Sequence, residues 1–111
     1  MVEEISTDDV KEKLDAGEEV QVVDIRSPEQ FAAGHIPGAT NIPMNELPAK
    51  VQEHDWGDDI VVACPIGQSS IQAARLLQSY EGVDGDASVA SMAGGYDDWD
   101  HELEAEEELE A

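Results

Sequence analysis

Short runs of β-branched and apolar residues alternate along this chain with stretches whose apolar positions fall three or four apart. The first helical stretch follows Ser6 or Thr7, either of which can cap it. Asp8 and Asp9 stand in its first turn, where the helix dipole favours them. Val10, Leu14 and Ala16 form its apolar stripe, and Gly17 marks its stop. Val20 to Ile25 reads as a buried strand. Ser27-Pro28-Glu29 opens a short helix to about Ala33, with proline at the first position. HIPGATNIP, residues 35 to 43, is a turn-rich crossing into a short strand at Thr40 to Ile42. Asn45 predicts the cap of a helix reaching Glu53, with Leu47 and Val51 facing inward. Ile60 to Ala63 is the central strand, and Ser69 to Tyr80 is a helix with Ile71, Ala74 and Leu77 along one face. Ala87 to Met92 is a weaker strand ended by Gly94-Gly95, and a final helix is expected from Tyr96 into the tail. Strands alternating with helices predict an α/β domain with a mainly parallel sheet. There is no internal repeat.

At 111 residues the chain suits one domain. It is assigned to residues 1–100, with 101–111 as an acidic tail reading as a solvated helix end. No stretch approaches the roughly 18 apolar residues of a membrane span. Met1-Val2-Glu3-Glu4 has neither the basic region nor the apolar run of a secretory signal. The lone cysteine suits a reducing cytoplasm, since it has no partner for an intrachain disulfide. Charge changes the picture most. Five Lys+Arg against 27 Asp+Glu give a net charge of −22, a surface that repels nucleic acid and anionic membranes. Such a balance reads either as disorder or as adaptation to molar salt. The spaced apolar runs and turn signals favour a folded chain. At about 1 M salt the Debye length is about 3 Å, and the self-repulsion is largely screened. The composition is that of a halophilic archaeal protein.

The candidate chemistry sits in CPIGQSS, residues 64 to 70. In parallel sheets ligands bind beyond the carboxyl ends of strands, where Cys64 stands. The loop leads into a helix whose first N–H groups lack internal partners. If the loop curls round the sulfur, those amides and the helix dipole point at one spot, binding an anion and favouring thiolate over thiol. Gly67 lets the backbone turn without a Cβ in the cradle. Ser69 or Ser70 can cap the helix and offer a hydroxyl to a bound anion. On the loop alone, a buried structural cysteine beside ordinary turn and cap residues reads equally well.

Three stretches break that tie. DIRSPEQFAAGHIPGATNIP at 24–43, CPIGQSS at 64–70 and GGYDDW at 94–99 resemble, in order and spacing, the conserved blocks of the rhodanese-like sulfurtransferase family. The resemblance runs from end to end of the chain. It implies a rhodanese-like α/β fold, a five-stranded mainly parallel sheet with helices on both faces. It also implies that Cys64 takes a sulfane sulfur from thiosulfate or another persulfide as a Cys64 persulfide. The sulfur would then pass to a thiophilic acceptor, a thiol or a sulfur carrier. The backbone amides of Pro65, Ile66, Gly67, Gln68, Ser69 and Ser70 would hold the anion, with no metal or organic cofactor. The other functional class with the same fold is a non-catalytic binding module, with Cys64 as a sulfur or redox sensor.

One departure matters. The family loop commonly has arginine where this chain has Ser69, so a charge-assisted grip on a dianion is missing. Either the donor is neutral or a protein-bound persulfide and thiosulfate turnover is slow, or the helix-end amides and the Ser69 hydroxyl suffice. Related phosphatases use Cys-x5-Arg, and that position here is Ser70, which argues against phosphoryl transfer. Asp24 and Arg26, at the carboxyl end of their strand, could border the Cys64 pocket. The resemblance implies instead that they brace loop connections, with Arg26 paired to Glu29. His35 reads as a hydrogen-bonded turn histidine. His54 and His101 lack metal-ligand spacing. Arg75 is expected to face outward, and Trp56, Tyr96 and Trp99 to anchor packing, with Gly94-Gly95 close to the active loop.

Overall fold

The computed structural model describes residues 3–83 and 86–105. Its elements in chain order are β1 (Glu3–Ile5), α1 (Thr7–Asp15), β2 (Gln21–Asp24), α2 (Pro28–Ala33), β3 (Thr40–Asn41), α3 (Leu47–Lys50), β4 (Asp59–Ala63), α4 (Ser69–Ser79) and β5 (Ser88–Met92). Single 3-10 turns follow α3 at Val51–Glu53 and β5 at Gly95–Asp98. The five strands form one sheet in the order β1-β5-β4-β2-β3, and every pairing is parallel. A five-stranded parallel sheet with helices is the α/β architecture that the motifs implied.

Alternation along β4 decides which side of the sheet each residue serves. Ile60, Val62 and Cys64 join Ala73, Ala74 and Leu77 of α4, with Leu47 and Val51, in one core. Val61 and Ala63 face the other way, onto Val10 of α1, Ile36, Met92 and Trp99. A parallel strand covered on both faces must be apolar on both, which is why residues 60–63 show no polar alternation. Cys64 therefore belongs, by register, to the α4 side.

Local signals explain most helix starts. The Ser6 hydroxyl accepts from the Asp9 amide and caps α1. Ser27 and Gln30 form a reciprocal capping box ahead of Pro28. Elsewhere the structure corrects the sequence. The helix expected from Asn45 to Glu53 is one four-residue turn from Leu47, with Glu46 at its cap and no side-chain cap bond, passing into a 3-10 turn. Pro48 sits in its first turn, and Leu47 and Val51 are buried as expected. The helix expected from Tyr96 is a 3-10 turn ending at Asp98. Beyond it, Glu104 pairs as an antiparallel bridge with His35, and the Trp99 indole N–H donates to the Glu102 carbonyl at 3.2 Å. The rest of the expected tail, residues 106–111, lies outside the described residues. β1 was not anticipated from the residue pattern.

Candidate functional site

The site begins where β4 ends. Cys64 is 1% exposed, and the chain bends through residues 65–68 before α4 starts at Ser69. Gly67 has φ +85°, a left-handed conformation that costs glycine nothing. A Cβ there would stand 2.7 Å from the Gly94 amide nitrogen, so the position also needs glycine for space.

The bend aims backbone N–H groups at the sulfur. The Gly67 amide donates to Cys64 Sγ at 3.0 Å and the Ser70 amide at 3.4 Å. The Ser70 hydroxyl lies 3.3 Å from Sγ, placed to accept from a thiol or donate to a thiolate. Burial alone pushes the Cys64 thiol up. The Ser70 hydroxyl and the amides of Ser70, Gly67 and Ile66 more than offset it, and the net position lies below the usual cysteine value. These donors prefer the anionic form, and they are held before any substrate arrives.

Neither serine caps α4. Gln68 occupies the cap position without a side-chain bond, and the Ser70 hydroxyl is turned inward to the sulfur and to Ser91. Ser70 and Ser91 Oγ are 2.6 Å apart and both residues are fully buried. Pro65, Gln68 and Ser69 are exposed, and Ile66 is 52% exposed at the mouth of the loop.

The outside of the loop is held from the far end of the chain. Tyr96 and Asp97 amides donate to the carbonyls of Cys64 and Pro65 at 2.9 and 3.0 Å. Gly95, at φ +60°, packs so closely that a Cβ would fall 2.6 Å from the Pro65 carbonyl carbon. The expected approach of Gly94-Gly95 to the loop is therefore present.

Asp24 and Arg26 make their bonds with each other and with the surrounding loops. Arg26 donates through Nε and Nη2 to the Asp24 carboxylate, with Nη2 at 2.8 Å from Oδ2, and through Nη2 to the Gly34 carbonyl. Its partner is thus Asp24, two residues away at the strand end, in place of the expected Glu29. The Arg26 guanidinium also lies over the Tyr96 ring at 3.6 Å. The Tyr96 hydroxyl donates to Asp24 at 2.8 Å and accepts from the Ile36 amide. Burial and the neighbouring Asp24 carboxylate hold the Tyr96 phenol above its usual range despite the Ile36 N–H, so it remains a donor. The cluster joins the strand-end loops to the segment that backs Cys64, a bracing role.

His35 stacks on Phe31, with ring centroids 3.8 Å apart, and its Nδ1 lies 2.8 Å from the Phe31 carbonyl. It is the hydrogen-bonded turn histidine expected. Arg75 is exposed. Among the described residues no group of three His, Cys, Asp or Glu could hold a metal ion, and no helix is long and apolar enough to cross a membrane. The stretch Ile60–Tyr80, carrying the whole loop and α4, contains no Asp or Glu in a chain with 27 of them.

Sequence reasoning missed Ser91 and the Tyr96 hydroxyl. Ser91 carried one signal: in SVASM it shares a face with Val89, a core position, and a polar residue there needs a buried partner. Tyr96 carried none beyond its place after the glycine pair.

The fold and site together define an α/β protein with an amide-ringed thiol at the carboxyl end of its central strand. The sequence profile of the rhodanese-like domain matches residues 6–102, and the chain belongs to that family. It is 34% identical over 99 residues to a sulfurtransferase of Allochromatium vinosum, with 89% of each chain covered. It is also 32% identical over 98 residues to the candidate sulfur carrier protein YrkF of Bacillus subtilis, covering 88% of this chain and 51% of that one. The chain thus spans about half the length of that relative. A crystal structure of a rhodanese-like domain protein from Staphylococcus aureus superposes with TM-score 0.79 at 30% identity, covering 94% of this chain and 98% of that one.

Proposed function

We propose that this protein is a rhodanese-type sulfurtransferase working through a persulfide on Cys64. The observation that carries the reading is the convergence of two amides and one hydroxyl on a buried sulfur. The Cys64 thiolate attacks the outer sulfur of a sulfane donor. A new S–S bond forms, and the donor's own S–S or S–sulfonate bond breaks. The bonding pair leaves with the departing group, a thiolate from a persulfide or sulfite from thiosulfate. The resulting Cys64–S–S⁻ lies within a cradle of N–H groups at the start of α4. An acceptor thiolate, or cyanide in an assay, attacks the terminal sulfur, and Cys64 leaves as the thiolate that its hydrogen bonds favour. Every step is a two-electron displacement at sulfur. Two sulfurtransfer partners are therefore required, a small-molecule or protein-bound donor and a thiol or sulfur-carrier acceptor. A reducing cytoplasm suits a thiol that must stay free.

Incubation with a sulfane donor followed by intact mass measurement tests the first half. The expected result is a labile gain of one sulfur atom on Cys64, removed on adding an acceptor thiol and absent in Cys64→Ser. Ser69, exposed where the family commonly has arginine, supports the second reading, a sulfur- or redox-sensing module. That reading takes over if the added sulfur never passes to any thiol or cyanide.

A further inference from the structure

The two buried hydroxyls beside Cys64 present a problem of proton supply. Ser70 Oγ lies 3.3 Å from the sulfur and 2.6 Å from Ser91 Oγ. Each serine has one hydroxyl proton. At 2.6 Å one of the two O–H groups must lie between the oxygens, and either could. If Ser70 donates to Ser91, its single proton is spent and the sulfur receives nothing from it. If Ser91 donates to Ser70, the Ser70 proton is free to point at a thiolate.

We propose that Ser91 is a positioning residue that, by donating to Ser70 Oγ, holds this second arrangement and polarises the Ser70 hydroxyl, making it a stronger donor to Cys64 whenever the sulfur is anionic. When Cys64 is a thiol the pair reverses, with S–H donating to Ser70 and Ser70 to Ser91. The pair is a two-state relay whose direction follows the charge on sulfur. It suits a residue that alternates between a thiolate and the neutral inner sulfur of a persulfide, and to that extent it rests on the sulfurtransfer reading. The placement is set by register. Ser91 pairs with Val62 across the β4–β5 ladder, and Val62 shares the α4 face with Cys64. A serine at that position brings its hydroxyl to 2.6 Å from Ser70 Oγ.

Other titratable groups near the thiol do not fill this role. β5, Ser88–Met92, and the loop 65–70 contribute none. Asp59 opens β4 at its far end and is paired with Lys13. Asp24 of β2 is engaged by Arg26 and Tyr96. Arg75 on α4 is exposed.

The test reads the thiol itself, by iodoacetamide alkylation against pH with no sulfur donor present, so its outcome is separable from sulfur transfer. Cys64 is the sole cysteine, which makes the readout specific. Ser91→Ala should raise the inflection by about half a unit to one unit, and Ser70→Ala should raise it further. In the Ser70→Ala background, Ser91→Ala should add nothing, because its effect passes through Ser70. Ser91→Thr and Ser91→Val share one shape and differ in the hydroxyl. The threonine variant should keep the low inflection and the valine variant lose it, which covers the case in which alanine fails to fold. An unmoved inflection in Ser91→Ala, equal inflections in the threonine and valine variants, or a full additive shift in the double variant would each overturn the proposal.

Discussion

At the scale of single residues, the tension in this site is between a buried sulfur and the anion it must carry. Four donors settle it in favour of the anion, and three of them are backbone N–H groups that substitutions other than proline leave in place. Reactivity thus rests on the Ser70 hydroxyl together with the loop amides, and selectivity on what stands at the mouth. Ser69 is the position to test. It is exposed at the first turn of α4, and a guanidinium there would reach into solvent at the mouth of the cradle. Ser69→Arg should raise kcat/KM for thiosulfate:cyanide transfer, mostly through KM. A hydrogen bond to a charged group contributes about 1.5–3 kcal/mol, so the gain is about ten-fold, less in molar salt. Steady-state kinetics with thiosulfate and with a neutral persulfide donor check it. Unchanged thiosulfate kinetics would remove the missing arginine as the reason for donor preference. The Cys64 loop was legible because residue type, order and the neighbouring apolar run all pointed to it. Ser91 was not, because a serine in a strand announces nothing until the register shows which way it faces.

Among elements, legibility followed burial. β2 and β4 read clearly from their β-branched apolar runs and α4 from its regular stripe, while β5 read more weakly because Ser88 and Ser91 interrupt its run. β1, with the sequence Glu-Glu-Ile, is an exposed edge strand fixed by pairing to Ala90–Met92 and by no pattern of its own. Of the helix expected after Tyr96 there is a single 3-10 turn ending at Asp98, and its Tyr96 and Asp97 amides, free of intrahelical partners at such a start, donate to the Cys64 and Pro65 carbonyls. That contact makes the 94–98 turn a structural half of the site. In Gly95→Ala the new methyl would meet the backbone of Cys64 and Pro65, which cannot yield as a flexible side chain would, at a φ of +60°. Overpacking and backbone strain together should cost at least about 2 kcal/mol. The melting temperature should fall by about 10 °C, and the Cys64 alkylation inflection should move toward that of free cysteine. A variant with wild-type melting and alkylation would show that the turn is not part of the loop's support.

For the whole molecule, electrostatics opposes folding. The described ion pairs use Lys11, Lys13, Arg26 and Lys50, four of five cations, and 27 acids face them. Added salt weakens those few attractions but relieves far more repulsion, so the second effect should win. Raising KCl from about 0.15 M to about 1 M shortens the Debye length from about 8 Å to about 3 Å, and the melting temperature should climb across that series. A melting point indifferent to KCl would defeat the halophile reading. The sheet order also has a consequence in time. β5 is the last strand in sequence, yet it lies between β1 and β4, and Ser91, Gly95 and Tyr96 arrive with it. A ribosome adds Cys64 before any of them, so until β5 is made the sulfur's surroundings lack Ser91 and the turn that backs the loop. The sulfur gains its full environment only when the final strand slots into the sheet. Maturation of the thiol and completion of the fold are then one event, and an unfinished or truncated chain has no fully primed sulfur to discharge onto its neighbours.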